Sequence, residues 1–278
     1  MRTKLSTVLT LAVVAAGMLL GAAQPSALAQ EKVVMNGSTT VGPIAKAFAG
    51  YYMAKNDVNV TVSMTGSGNG AEALVNGNCD IANMSRMMKA NEFKKAVDSG
   101  IYPIAHVVAM DGIAVAVHPS NPVSGLTLKQ IRQIYTGEVT NWKELGGPDR
   151  KIVKISRDSS SGTYEVFGEI ALHEESIKGA EYVQSNGQMR ARISSTQAAI
   201  GYIGLGYLEG VKAIDVNGVS PTMKTVGSGK YPIARPLFMW TNGFPKLGSH
   251  VHALVTLHLT KTGQEIVKGV GYVPVTQY

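Results

Sequence analysis

Short apolar runs recur along the chain from Lys32 onward, and several end in turns rich in Ser, Thr and Gly. Residues 32–35 read as a strand and 36–40 as a turn. Residues 41–55 carry helical spacing, with Ile44, Ala47, Phe48 and Tyr51 on one face. Thr39 or Thr40 is the expected N-cap of that helix. Residues 58–64 alternate as a strand, 65–70 form the next turn and 71–75 the next helix. A very short strand at 80–82 ends in Asn83-Met84-Ser85-Arg86. Strand, turn and helix repeated with short turns predicts an α/β fold with a mostly parallel sheet in each half. In such folds ligands collect beyond the carboxyl ends of the strands, where these hydroxyl-rich turns fall.

Two further runs have a different character. Residues 113–117 are apolar throughout and run into His118-Pro119-Ser120-Asn121-Pro122, whose prolines stop any helix. Residues 235–240 form another extended run beside a proline. Between them lies a second α/β unit: a helix at 126–135, a strand at 152–155, a helix at 162–173, and further elements at 194–199, 200–203 and 211–214. Residues 250–269 return to helical spacing and are expected to pack on the first unit. The reading is two lobes joined by two crossing strands. Lobe I takes residues 30–117 and 237–278, and lobe II takes 118–236.

The first residues change what the mature chain is. Arg2 and Lys4 precede an apolar run over 5–20, and Ala27-Leu28-Ala29 supplies a small-x-small cleavage pattern. This predicts a secretory signal peptide at 1–29, cut after Ala29, and a periplasmic location. No cysteine lies near the cut, so no lipid anchor is expected. Cleavage leaves 249 residues, enough for two lobes, and lowers the formal charge from +7 to +5. A mild positive excess suits small anions. No basic cluster is dense enough for nucleic acid, and the mature chain has no span of membrane length. Cys79 is the single cysteine, so no intramolecular disulfide can form, and a buried apolar role is expected for it.

The candidate chemistry is concentrated in Arg157-Asp158-Ser159-Ser160-Ser161-Gly162-Thr163, which feeds a helix. Such a turn aims backbone N–H groups and the positive end of a helix dipole at one point, and arginine can clamp two oxygens of an anion held there. Taken alone, each such turn is also read as an ordinary helix cap. The same chemistry recurs in Ser38-Thr39-Thr40 and in Ser67-Gly68, with Ser85-Arg86 offering a further hydroxyl and a second arginine that suits either the ligand or a lobe-bridging pair. Two of these turns belong to one lobe and the third to the other, so one small oxyanion between the lobes would meet all of them. Enzyme signatures are missing: the six histidines fall in no triad motif, Gly-x-Ser-x-Gly is absent around Ser161, and no P-loop is present. His250-Val251-His252 is the only close histidine pair, and i and i+2 on a helix diverge, so no metal site is expected. No cofactor is implied.

The chain resembles the phosphate-binding proteins of bacterial Pst-type ABC transporters, of the type II periplasmic-binding-protein fold. The resemblance rests on Gly37-Ser38-Thr39-Thr40-Val41, Gly66-Ser67-Gly68, residues 80–86, Tyr135-Thr136-Gly137, Thr140-Asn141-Trp142-Lys143, Arg157 with Ser161-Gly162-Thr163, residues 199–202, 263–267 and Gly271-Tyr272-Val273-Pro274. It implies ligand contacts from Thr40 and the N–H of Val41, from Ser67, and from Arg157, Ser161, the N–H of Gly162 and Thr163. Ser38, Thr39, Ser85 and Arg86 complete the candidate set. Some members carry an aspartate where Ser85 stands, and a neutral serine brings no charge to repel sulfate. The resemblance implies a monomer that captures inorganic phosphate and hands it to a membrane ABC permease with its ATPase. Another oxyanion or phosphonate as cargo, or a secreted phosphate sensor or adhesive protein, are the alternatives.

Overall fold

The computed structural model describes residues 30–276; the signal-peptide reading lies outside them. In chain order the elements are β1 (Glu31–Gly37), α1 (Gly42–Met53), β2 (Val58–Met64), α2 (Ser67–Val75), β3 (Ile81–Met84), α3 (Ala90–Asp98) and β4 (Pro103–Val117). Then come β5 (Gly125–Leu126), α4 (Leu128–Thr136), β6 (Val153–Arg157), α5 (Gly162–Leu172), β7 (Glu181–Val183), α6 (Asn186–Ser195) and β8 (Ala199–Gly204). The chain closes with β9 (Lys212–Ala213), β10 (Asp215–Val216), α7 (Met223–Gly227), β11 (Ala234–Asn242), α8 (His250–Thr256) and α9 (Lys261–Gly269).

One sheet runs through the molecule in the order β2-β1-β3-β11-β4-β8-β6-β7, with β9 also on β4. Strands β1, β2 and β3 are parallel, whereas β11 lies antiparallel to both β3 and β4. Strand β4 changes partner along its length. Residues 103–112 pair with β11, and Ile113–Val117, grouped with lobe I by sequence, pair with β8 of the second half. Strand β4 therefore runs from one half of the sheet into the other, whereas β11 pairs with β3 and with the first part of β4.

Each half of the sheet is covered on both faces. In the first half, Val33, Met35, Ile44, Phe48, Leu254 and Tyr272 form one cluster, and Leu74, Met84, Phe238 and Trp240 form another. In the second, Trp142, Phe167 and Tyr202 lie in one cluster and Met189, Ile193 and Ile203 in the other. Two-sided burial is why residues 113–117 are apolar without alternation. The helical region read over 250–269 is two helices, because Leu257–Leu259 tightens into a 3₁₀ turn and Thr260 caps α9 anew. Cys79 is buried and unpaired, with burial pushing its thiol up to about 12, the inert role read from its apolar setting.

Candidate functional site

The expected hydroxyl cap of α1 does not form. Its N-cap is Val41, which has no side chain to accept a hydrogen bond, and neither Thr39 nor Thr40 occupies that position. The reason is Ser38: its Oγ accepts from the N–H groups of Thr40 at 3.1 Å and Val41 at 3.3 Å, and so organises the turn itself. Ser38 is in turn pinned to β3 by its own N–H on the Asn83 carbonyl at 2.7 Å. The hydroxyls of Thr39 and Thr40 are thereby released for longer-range work. Both residues are buried, and both accept from the Asn186 side-chain amide, at 3.1 and 2.9 Å.

Helix α2 begins after Gly66, whose φ of +109° lies where only glycine is unstrained. Ser67 at its first position is fully buried, and its Oγ accepts from the Ser85 N–H at 3.0 Å and lies 3.2 Å from the Ser85 Oγ. Helix α5 starts at Gly162 with Ser161 as N-cap, accepting from the Tyr164 N–H at 3.2 Å. The first turn of each helix leaves N–H groups without intrahelical partners, which is what an anion recruits. These starts meet across the two halves. Thr40 and Thr163 hydroxyls lie 3.0 Å apart, and the Gly68 N–H donates to the Ser160 carbonyl at 2.9 Å. A Cβ on Gly162 would fall 2.5 Å from the Ser67 Oγ and 2.8 Å from the Ser85 Oγ, so only glycine permits the approach.

Arg157 ends β6, in the run that leads into the α5 start, and is 1% exposed. Its backbone N–H donates to the Tyr202 hydroxyl at 3.0 Å, and Tyr202 is fixed by stacking on Phe167 with ring centroids 3.9 Å apart. Its Nε and Nη2 donate to the carbonyls of Val183 and Gln184 at 3.2 and 2.8 Å. Its Nη1 is buried with no partner. Burial pushes its pKa down to about 10, so it stays a cation at neutral pH. Among the described residues it forms no ion pair, and a buried cation without a counter-charge is costly unless an anion arrives.

Arg86 is placed differently. Its Nη1 and Nη2 hold the two carboxylate oxygens of Glu92 at 2.8 and 2.7 Å, and its Nε lies 2.7 Å from the Glu165 carboxylate on α5. Burial works against its charge, but Glu92 and Glu165 outweigh burial and hold the pKa above the ordinary value. Lys89 adds a second ion pair to Glu165 at 3.0 Å. The group bridges the halves at the rim of the hydroxyl cluster.

Three residues in the cluster were not singled out from sequence. Arg235, on β11, is buried against Asp111, on β4, through Nε at 3.1 Å and Nη2 at 2.9 Å. Its Nη2 also reaches the hydroxyls of Thr163 at 2.9 Å and Thr40 at 3.3 Å, and its Nη1 donates to the Ser85 carbonyl at 3.0 Å. Burial works against both charges of the pair, which persist through these aligned hydrogen bonds. Asn186 at the start of α6 is the third. A signal for Asp111 was available: a carboxylate inside an apolar strand demands a cationic partner. Among the described residues no group of three or more His, Cys, Asp or Glu could hold a metal ion, and no helix is long and apolar enough to cross a membrane.

Known proteins share this architecture. The family model of the PBP superfamily domain matches residues 22–255. The phosphate-binding protein PstS of Borreliella burgdorferi is 34% identical over 257 residues, covering 87% of this chain and 90% of that one. PstS of Bacillus subtilis is 34% identical over 260 residues, covering 90% and 84%. An X-ray structure from Clostridium perfringens, described as a phosphate ABC transporter substrate-binding protein with bound phosphate, superposes with a TM-score of 0.80 at 33% identity, covering 88% of this chain and all of that one. The chain belongs to the PBP superfamily and, within it, to the phosphate-binding proteins of the PstS type.

Proposed function

We propose that this chain captures inorganic phosphate between its two lobes and delivers it to a membrane ABC permease driven by an ATPase. The observation that carries the reading is Arg157: a buried guanidinium with no counter-ion and an unpartnered Nη1, at the end of β6 in the run that leads into the α5 start. A tetrahedral anion supplies the missing negative charge and the acceptors those donors lack. Ser38, Thr39, Thr40 and Val41 from the first turn, Ser67 and Ser85 from the next elements, and Ser161, Gly162 and Thr163 from α5 are the groups that would surround it. Arg86 contributes from the rim, through its ion pairs. The protein makes and breaks no bond. It acts outside the cytoplasmic membrane, as a monomer, after its leader is removed.

Binding favours the state in which the halves touch, because only there do both contact the ligand. The test is calorimetric titration of the mature protein with phosphate, sulfate and molybdate. Calorimetry suits the question better than fluorescence, since Trp142 and Trp240 both sit inside lobe cores at 0% and 3% exposure. Saturable one-to-one phosphate binding that sulfate does not match supports the reading; equal or tighter sulfate binding overturns phosphate as the cargo. One observation favours another oxyanion as runner-up. Asp111 is the carboxylate buried in the cluster, and its oxygens already accept from Arg235 and from the Leu205 N–H at 3.0 Å. Neutral hydroxyls would then take the hydrogen of a protonated phosphate.

A further inference from the structure

We propose that Arg235 is a positioning residue for the anion site: anchored by Asp111 where β4 and β11 pair, it fixes which way the Thr40 and Thr163 hydroxyls donate. The inference rests on the phosphate-binding reading above. It follows from counting hydrogens. A hydroxyl has one hydrogen and two acceptor positions, and a guanidinium has donors only. Arg235 Nη2 has two hydrogens: one goes to Asp111 Oδ2 at 2.9 Å, and the other is shared between Thr163 Oγ1 at 2.9 Å and Thr40 Oγ1 at 3.3 Å. Thr40 Oγ1 also accepts from Asn186 Nδ2 at 2.9 Å, so both nitrogens beside it are donors and its hydrogen points away from them. The Asn186 amide cannot be turned the other way without loss, because its Oδ1 accepts from the Gly204 N–H at 3.4 Å.

The Thr163 Oγ1 lies 3.0 Å from Thr40 and also accepts from Arg235 Nη2, at 2.9 Å. When Thr40 donates to Thr163, both acceptor positions on Thr163 are filled, and its own hydrogen is left for the anion. The reverse order is disfavoured, since it would set three donors against the two acceptor positions of Thr40. The chain of hydrogen bonds therefore runs one way, from Asn186 and Arg235 through Thr40 to Thr163 and outward. Arg235 spends Nε and one hydrogen of Nη2 on Asp111, and Nη1 on the Ser85 carbonyl. It serves the ligand through the two threonines, one from each half, and it can hold both only when the halves are together. Asp111 also accepts from Leu205 of the second half, which ties the anchor to the same contact.

A double-mutant cycle tests this. Phosphate affinity is measured by calorimetry for the unaltered mature protein, Arg235→Lys, Thr163→Val and the pair, with apo melting temperatures as the folding control. Each single change is expected to weaken binding about tenfold or more, and the pair to lose no more than about threefold beyond the weaker single variant. Thr163→Ser, which keeps the hydroxyl, is expected to stay within about threefold of the unaltered protein and to keep its sensitivity to Arg235→Lys. If the two losses multiply, Arg235 acts independently of Thr163 and the proposal fails while phosphate binding stands. If the unaltered protein does not bind phosphate, the functional reading fails and this proposal with it. Should Arg235→Lys lose its cooperative melt, Asp111→Asn takes its place in the cycle, with the same two outcomes.

Discussion

Two buried arginines stand near the same turns, and their surroundings give them different work. Arg86 at the rim meets two carboxylates, Glu92 and Glu165, at 2.7 Å each, so its charge is already neutralised. Arg157 at the floor meets two backbone carbonyls and keeps one nitrogen without a partner. Both reside in low dielectric, but only Arg157 is left short of a negative charge. An arginine in a cleft is thus assigned by the carboxylates within reach of it, not by its burial or by its neighbouring hydroxyls. Arg86 fastens one half to the other; Arg157 carries a charge that no carboxylate meets.

The largest effect should come from the floor. Arg157→Ala is expected to weaken phosphate binding by about 2–5 kcal/mol, because the anion would be left buried without its cation. A calorimetric loss below about tenfold, or ~1.4 kcal/mol, contradicts the assigned role. The same variant should leave the apo melting temperature unchanged or raise it, since the unpaired charge opposes burial in the empty protein. The contact between the halves comes next. Gly162→Ala places a methyl 2.5 Å from the Ser67 Oγ, and the strain of overpacking is typically about 1–3 kcal/mol, or roughly fivefold to 150-fold in affinity. Small-angle scattering should show that this variant fails to compact when phosphate is added; full compaction would mean the seam is softer than the distances imply. The smallest effect belongs to the rim. Glu165→Gln leaves Arg86 with Glu92, so no uncompensated buried charge results, and affinity should fall about threefold or less. That difference should shrink as salt rises from about 0.05 to 0.5 M. A rim variant more damaging than Arg157→Ala would invert the comparison.

What could be read from sequence was what is local. The run from Arg157 to Thr163 is contiguous, and its cap, its glycine and its cation are set by neighbours a few residues away, so the α5 start lies where expected. The parallel pairing of β1 with β2 and β3 agrees with the mostly parallel sheet expected from the repeated strand-turn-helix spacing. The cap of α1 was misassigned because the competition between Ser38, Thr39 and Thr40 is decided in three dimensions: Ser38 takes both N–H groups, and the two threonines turn to partners beyond residue 160. Arg235 escaped notice for the same reason. Its partners Asp111 and Thr40 lie 124 and 195 residues away in sequence, and no local pattern marks an arginine beside a proline as buried. The first ten residues of β4 were not read as a strand, since His106 and Asp111 interrupt the apolar pattern; the structure accommodates both by pairing them with Thr241 and Arg235. Asn186 was hidden by α6, whose buried residues Asn186, Met189 and Ile193 are spaced along a surface otherwise dominated by polar side chains.

The most direct measurement is a crystal structure of the mature protein grown with phosphate. Tetrahedral density within hydrogen-bonding distance of Arg157 Nη1, contacted by Ser67 from one half and by Ser161 and Thr163 from the other, is the expected result. Phosphate seated on the Arg86 rim, or Arg157 Nη1 satisfied by protein alone with the ligand elsewhere, would contradict it.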